Sequence, residues 1–452
     1  MSARLRFDPG SFGAFRVVGR SFDPGSRTVT LRYALDDSHH FVETVTFETP
    51  TSGRAPEGPG FERALLHLHL AAGTSYYKTA APPDVVVEED ALSPEGLTVH
   101  HHLYDDGLRE FAVTNGLPVP RPVTIHPGSS PREGTPLLSD PPGKGLLVPI
   151  GGGKDSMVLI EAVRHLRPRL FAVNPHPIVL ELADRAGLEL LVVRRRLDPG
   201  LDALNGSGAL NGHVPITAIV SLIAVVGSFL YAYDTIAMAV ERSASEPTAS
   251  VGGVPVNHQY SKSLAFEQLL SDLVTRDVSA GLTYGSALRP YSELAIARTF
   301  AGLTGYHDVF CSCNTVFRQT ASGEARWCGN CPKCRFVGLV LAPFLGRARL
   351  TAIFGTDLFA DPGQVPGFAA LLSDEEKPFE CVGERRESAA ALRILARLPE
   401  WRGSPVIDAL GRRAEGMVSD REVTDLLTAQ RELDFPDPVV AAAVDVLLSG
   451  AG

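Results

Sequence analysis

Apolar and polar side chains alternate with a period of two in "AFRVVGR", "RTVTLRYAL" and "HFVETVTFET", and the turn-forming stretches "DPGS" and "DDSH" separate them. This pattern predicts three half-buried strands near the N-terminus. An apolar run with helical spacing follows, "FERALLHLHLAAGTSYYKTAAP", and then a mixture of strand-like and helical stretches up to "FAVTNGLPVP". The segment His126–Gly145 is rich in Pro, Gly and Ser and reads as a linker. From Leu146 the period changes. Short wholly apolar runs ("LLVPI", "LFAVN", "LELLVV", "DTIAMAV") read as strands buried on both faces, with helices near Ser156–Leu166, Ile178–Ala186 and Ile216–Tyr231 between them. Such alternation predicts a parallel sheet wrapped by helices, because parallel strands need a crossover connection. Beyond Leu345 the pattern is mainly helical, in "FAALLSDEE", "SAAALRILARL" and "DPVVAAAVDVLLS". The expected architecture is α/β: an N-terminal α+β domain over 1–140, a parallel-sheet domain over 141–345 and a C-terminal helical region over 346–452.

Composition narrows the function classes. The chain has 452 residues, 44% of them hydrophobic and 21% charged, as in an ordinary globular protein. Its net charge of −10 argues against a general nucleic-acid coat and favours a small-molecule partner. The N-terminus has no long apolar stretch of the secretory kind. Val214–Tyr233 approaches a membrane span in length and apolarity, but it stands alone and has no Lys or Arg cluster at its flanks. It is read as a helix buried on both sides, in a protein expected to be cytoplasmic and to have no membrane partner.

The candidate chemistry begins where the first parallel strand ends, at "LLVPIGGGKDSMVLIEAVR". Gly151, Gly152 and Gly153 let backbone N–H groups approach an anion closely, and the helix that follows offers its free N–H groups and positive dipole end. Lys154 and Ser156 add a cation and a hydroxyl, and Asp155 can hold a divalent metal against phosphates. Neither the Walker pattern nor the dinucleotide pattern G-x-G-x-x-G is present. The loop resembles the S-G-G-x-D-S pyrophosphate loop of the ATP pyrophosphatases, the PP-loop family that includes NAD synthetase, asparagine synthetase and 7-cyano-7-deazaguanine synthase. Gly151 replaces the family's first serine, so one hydroxyl ligand for pyrophosphate is missing.

That resemblance implies an adenine-nucleotide-hydrolase-like core, with ATP as co-substrate and Mg²⁺ on Asp155. In it a substrate oxygen attacks the α-phosphorus and pyrophosphate leaves. It also implies adenine contacts through the backbone of Val173 and Asn174 in "FAVNP", and a ribose, phosphate or metal contact at Glu241 in "AVERSASE". "LRPYSELAIARTFAGLTG" resembles a further helix of the same family.

Six cysteines occur, five of them between Cys311 and Cys334, and that clustering fits a metal site better than a disulfide scaffold. The overlapping C-x2-C-x2-C with one upstream thiol supplies the four soft ligands of tetrahedral Zn²⁺. An iron–sulfur cluster is the rival reading. Resemblance to the deazaguanine synthase implies Cys313, Cys328, Cys331 and Cys334 as ligands of a structural zinc, with Cys311 spare.

Other stretches resemble a narrower family. "NGHVPITAIVSLIA", "ERSAS", "VNHQYSKSLAFE", "HDVFCSCN", "RWCGNCPKCRF" and "PFECVGE" are similar to the ATP-dependent epimerases of UDP-N-acetylmuramoyl-L-alanyl-L-glutamate, and the similarity covers most of the chain. The resemblance implies inversion of the terminal L-Glu in peptidoglycan precursor synthesis, with release of AMP and pyrophosphate. The chemistry is coherent, because adenylating the carboxylate removes the charge that would oppose carbanion formation at the neighbouring carbon. Lys154 and Asp155 are then catalytic through ATP, and His258 and Cys381 are candidate bases. His213, Arg242, Asn257, His258 and Lys262 are candidate contacts for the UDP-linked muramoyl dipeptide. Histidines in "HLHL" and "VHHHLYDD" read as surface or core residues. The competing readings are a tRNA-modifying sulfurtransferase, an amide-forming ligase and a nucleotide-binding scaffold without turnover. The acidic balance counts against the first and the retained Lys-Asp-Ser against the last.

Overall fold

The computed structural model describes residues 7–49, 56–129, 143–317, 326–373, 378–380 and 382–450. Most of the expected linker, and the candidate base Cys381, lie outside the described residues.

Twelve strands are described: β1 (Ala14–Asp23), β2 (Thr28–Leu35), β3 (His39–Phe47), β4 (Asp84–Val87), β5 (Thr124–His126), β6 (Leu146–Pro149), β7 (Arg169–Val173), β8 (Leu190–Arg196), β9 (Thr235–Met238), β10 (Ala249–Val251), β11 (Val254–Val256) and β12 (Thr283–Ser286). Ten of them form one mostly parallel sheet in the order β12-β9-β6-β7-β8-β3-β2-β1-β4-β5, and β10 and β11 form a separate hairpin. The antiparallel β1–β3 meander is continuous with the parallel strands through β3 and β8, which pair antiparallel from Thr44 opposite Arg196 to Phe47 opposite Val193. Sheet and apolar core therefore run across position 140, and the core around β6 runs across position 345 to Leu448.

Burial follows the sequence pattern. β6 and β9 are buried at every position, as strands covered on both faces must be. β8, expected to be buried on both faces, instead alternates buried and half-buried residues, so only one face reaches full burial. The apolar Val214–Tyr233 stretch forms the helix Ile216–Tyr231, buried along most of its length. Gly227 lets it approach the sheet, since a Cβ there would lie 3.0 Å from the Phe171 ring and 3.5 Å from Phe47. Among the described residues no helix is long and apolar enough to cross a membrane.

C-terminal helices include Pro332–Leu341, Arg385–Arg397, Pro405–Met417 and Pro438–Ser449. Pro438–Ser449 packs on the helices Lys154–Val163 and Glu293–Gly302, Pro332–Leu341 and Arg385–Arg397 pack on Glu293–Gly302, and Pro405–Met417 packs on Arg385–Arg397. From β6 the chain proceeds to β7 and β8 on one side, then returns to β9 and β12 on the other. This reversal opens a crevice at the carboxyl ends of β6 and β9, the usual ligand position in open α/β sheets.

Candidate functional site

A cleft of about 710 Å³ fills that crevice. Its walls include Gly151–Gly153, Asp155, Ser156, Val173, Asn174, Lys262 and Lys333, so most of the expected nucleotide loop lines one cavity. The helix Lys154–Val163 starts at Gly153 without a side-chain cap, leaving its first N–H groups to the cleft. The three glycines differ in their reasons. A Cβ on Gly152 would stand 2.4 Å from the Cys311 carbonyl oxygen and 2.6 Å from the Phe317 ring, so only glycine fits. At Gly151 the nearest atom would be Ser156 Oγ at 3.7 Å, and the Gly151 N–H donates to that oxygen over 3.0 Å. Asn174 adopts φ +46° and its side chain brackets the Arg195 backbone, donating to its carbonyl (2.8 Å) and accepting from its N–H (2.9 Å). Its amide is thus used to extend the β7–β8 pairing.

Lys154 is buried, and its ammonium donates to Asp155 Oδ1 (2.5 Å) and to Glu293 Oε2. Burial disfavours the ammonium, but the two carboxylates outweigh it and hold Lys154 charged. Asp155 feels the same contest: burial pushes it up, while Lys154 and then Lys333 pull it below the ordinary range. Glu293 takes the other side of the competition. Burial pushes it up to about 7, Lys154 only partly offsets this, and Asp155 and Glu241 repel it. Behind it, Glu387 is buried and accepts the Glu293 N–H (2.7 Å) and the Glu384 N–H (2.8 Å). Burial and the neighbouring Glu384 and Glu293 push Glu387 well up. Lys154 thus bonds two carboxylates, Lys333 acts on the same pair, and Glu241 and Glu387 lie within electrostatic range, so oxygen ligands for a divalent cation are concentrated here.

Glu241 is buried within electrostatic range of both glutamates. Next to it, Arg242 Nη1 is buried with no hydrogen-bond partner. Arg289 Nη1 donates to the Glu241 carbonyl (2.7 Å) and Arg289 Nε to Glu267 (3.1 Å), fixing the segment after β9. Asn257 spends both ends of its amide internally, donating to the Ala244 carbonyl (3.1 Å) and accepting the Gln259 N–H (2.7 Å). These two bonds fix the Asn257 side chain against the backbone and leave its amide one further N–H to offer.

His213 and His258 come together, with ring centroids 4.4 Å apart, and Glu110 hydrogen-bonds His258 Nδ1. Burial and His258 hold the His213 imidazole down at about 4. Lys262 acts electrostatically on both His213 and Asp155, which places this cluster beside the cleft. His67 and His100 are core residues joined by a 3.1 Å hydrogen bond, and His67 Nε2 meets Asp277 at 2.8 Å.

Ligand atoms of Cys313, Cys328, Cys331 and Cys334 all lie within 4.8 Å of one another. The Cys331 N–H donates to Cys328 Sγ (3.3 Å) and the Cys334 N–H to Cys331 Sγ (3.4 Å), and Cys331 caps the helix Pro332–Leu341. Cys311 stands apart, its Sγ donating to the Arg326 carbonyl over 2.7 Å. These four thiols make a candidate metal site in a closed, four-ligand arrangement.

Two family models match the chain: the MurL N-terminal domain over residues 6–287 and the MurL C-terminal domain over residues 309–424. The chain belongs to the MurL family. Three curated relatives carry the name UDP-N-acetyl-alpha-D-muramoyl-L-alanyl-L-glutamate epimerase. The protein of Salinispora tropica is 45% identical over 407 residues, 88% of each chain. That of Xanthomonas oryzae pv. oryzae is 39% identical over 441 residues, 95% of this chain and 96% of its own. That of a Micromonospora species is 43% identical over 408 residues, 88% and 90% of the two chains. No solved structure matches. As a member of this family the chain is an enzyme of the isomerase class.

Sequence reasoning missed Glu293, Glu387, Glu110 and Lys333. Glu293 lies in "YSELAIAR", a helix noted for its resemblance, where a Ser292 cap followed by an acidic residue signals a helix start and says nothing of a partner 139 residues upstream. In the structure Glu387 closes a capping box with Glu384 at the start of the helix Arg385–Arg397, and the sequence lacks the Ser or Thr cap that would have flagged it.

Proposed function

We propose that the chain epimerises the terminal L-Glu of UDP-N-acetylmuramoyl-L-alanyl-L-glutamate through an acyl-adenylate, consuming ATP and releasing AMP and pyrophosphate. The observation that carries this reading is the Gly151–Ser156 loop, set with the buried Lys154 and Glu293 and the cleft-lining Asp155 at the crevice where strand order reverses. The names of the relatives supply the substrate.

The triphosphate lies on the free N–H groups at the start of the helix Lys154–Val163, with Lys262 and Lys333 on the cleft wall to balance its charge. Asp155, kept ionised by Lys154, is the residue placed to hold Mg²⁺, which supplies charge neutralisation at the phosphates. The substrate carboxylate attacks the α-phosphorus and pyrophosphate departs. In the resulting mixed anhydride the carbonyl accepts the electron pair released when the α-proton is removed. A proton returns to the opposite face, and water cleaves the anhydride to AMP and the D-Glu product. Arg242, with its unpartnered buried Nη1, serves as an anion anchor for substrate. Cys313, Cys328, Cys331 and Cys334 would hold a structural Zn²⁺, which would tie the segment after Val309 to the helix Pro332–Leu341.

The test is incubation of the purified protein with ATP, Mg²⁺ and the UDP-linked dipeptide in D₂O, followed by mass and chiral analysis of the glutamate. D-Glu bearing one deuterium at the α-carbon, with AMP formed in step, is expected. Unlabelled L-Glu and no AMP would remove this substrate from consideration.

A further inference from the structure

Glu110, His213 and His258 come from three distant segments, yet one ligand atom of each lies within 4.8 Å of the other two. Glu110 sits on the helix Arg109–Thr114, in the part of the chain that precedes the nucleotide loop. His213 lies on the segment before Pro215, which is tied down from outside: Lys78 Nζ donates to Asn211 Oδ1 (2.5 Å) and the Gly212 carbonyl (3.2 Å), and Asn115 Nδ2 to the Asn211 carbonyl (3.0 Å). His258 follows the β10–β11 hairpin, and its N–H donates to Thr248 Oγ1 (3.2 Å). Arg109 ties the hairpin to the helix by donating to the Pro255 carbonyl (3.2 Å). Each donor is therefore carried on backbone that other residues fix.

We propose that Glu110, His213 and His258 bind a divalent transition-metal ion, separate from the cysteine site and from the Mg²⁺ of the nucleotide cleft. The donor set is two imidazoles and one carboxylate, which suits Zn²⁺, Mn²⁺, Fe²⁺ or Co²⁺ and not Mg²⁺ or Ca²⁺. A metal bonding at about 2.1 Å needs ligands roughly 3–4 Å apart; the three atoms lie within 4.8 Å of one another, and the ion would take the place of the Glu110–His258 hydrogen bond. Side chains of Glu110 and His258 are 12% and 15% exposed, so the ion is neither sealed in nor on open surface. Three protein ligands leave coordination positions open, the arrangement of metals that meet substrate.

Charge points to an anionic fourth ligand. A divalent ion on a single carboxylate keeps a net positive charge, and Lys262 and Lys78 act on the same place. A carboxylate or diphosphate oxygen entering from the adjacent cleft would complete the coordination. His258 is then a ligand, not a base. The inference holds whether or not the substrate is the muramoyl dipeptide.

The experiment is a titration of the metal-stripped, reduced whole chain with Co²⁺ in the absence of ATP, read by visible absorption and elemental analysis. Wild type should bind about two Co²⁺: one with the intense bands and sulfur charge transfer of a thiolate site, one with the weak bands of nitrogen and oxygen ligands. His213→Ala and Glu110→Gln should each lose only the weak-band site, and Cys328→Ser should disturb only the thiolate site. A single thiolate-bound Co²⁺ in wild type overturns the proposal without reference to any variant. So does a weak-band site that persists in both His213→Ala and Glu110→Gln.

Discussion

At the scale of the residue, the competition around Lys154 organises the site. Lys154 satisfies Asp155 and Glu293 together while buried, so its removal leaves two carboxylates without their cation. Lys154→Met should lower AMP formation by about 100-fold or more, with the fold retained by circular dichroism; an undiminished rate would remove Lys154 from the nucleotide site. Lys154 and Asp155 were legible because they adjoin the glycines in the chain. Glu293 and Glu387 were not, because burial beside one another gives them their character, and no local pattern encodes that.

A second residue-scale consequence concerns acid stability. His69 is buried against the Arg32 carbonyl (3.0 Å), and burial holds its imidazole down at about 3, against an ordinary 6.5. Between these values the unfolded chain binds a proton that the native state refuses, so stability falls as pH drops through this window, by at most about 1.4 kcal/mol per pH unit. His69→Gln keeps a donor but cannot titrate. Its unfolding free energy should decline less steeply than that of the parent between about pH 6 and 4 in urea titrations; parallel slopes would show that His69 does not contribute.

At the scale of the element, the turn from β6 into the helix Lys154–Val163 assigns its glycines different duties. Gly152→Ala drives a methyl into the Cys311 carbonyl and should cost about 1–3 kcal/mol along with ATP turnover. A Cβ at Gly151 would meet nothing closer than 3.7 Å, so Gly151→Ser should fold with a melting temperature close to that of the parent, which calorimetry on the pair would check. The same steric account fails if Gly151→Ser proves the more damaging. The cysteine knuckle behaves likewise as an element. The Cys331 thiol caps the helix Pro332–Leu341, so stripping metal with a chelator should lower the melting temperature by several degrees, restored by Zn²⁺.

At the scale of the whole molecule, the β3–β8 pairing makes the N-terminal meander part of the sheet that carries the candidate site. A buried ion pair holds the joint: Arg195 Nε donates to Glu43 Oε1 (2.7 Å) and Arg195 Nη2 to Ser75 Oγ (2.8 Å). Glu43→Ala strands a buried guanidinium and should cost about 3–5 kcal/mol in chemical denaturation. A chain beginning at residue 143 would expose the edge of β8 and the buried face of the helix Ile216–Tyr231, and would also lack Glu110. It should aggregate or remain protease-sensitive when expressed alone. A stable, monomeric fragment would contradict this view of the sheet.

Local periodicity determined the strands β1–β3 and β6–β9, the helix Ile216–Tyr231 and the glycine turn, because each depends on residues a few positions apart. The spacing of Cys328, Cys331 and Cys334 likewise placed three of the four thiols within reach of one another before any fold was known. Tertiary structure decided the rest. It joined the meander to the parallel strands and set Glu293 against Lys154. It gathered Glu110, His213 and His258 from three segments and fixed the Asn257 side chain against the backbone. Those outcomes depend on which surfaces bury one another and on how buried charges share few counter-charges, quantities that exist only once distant segments have packed.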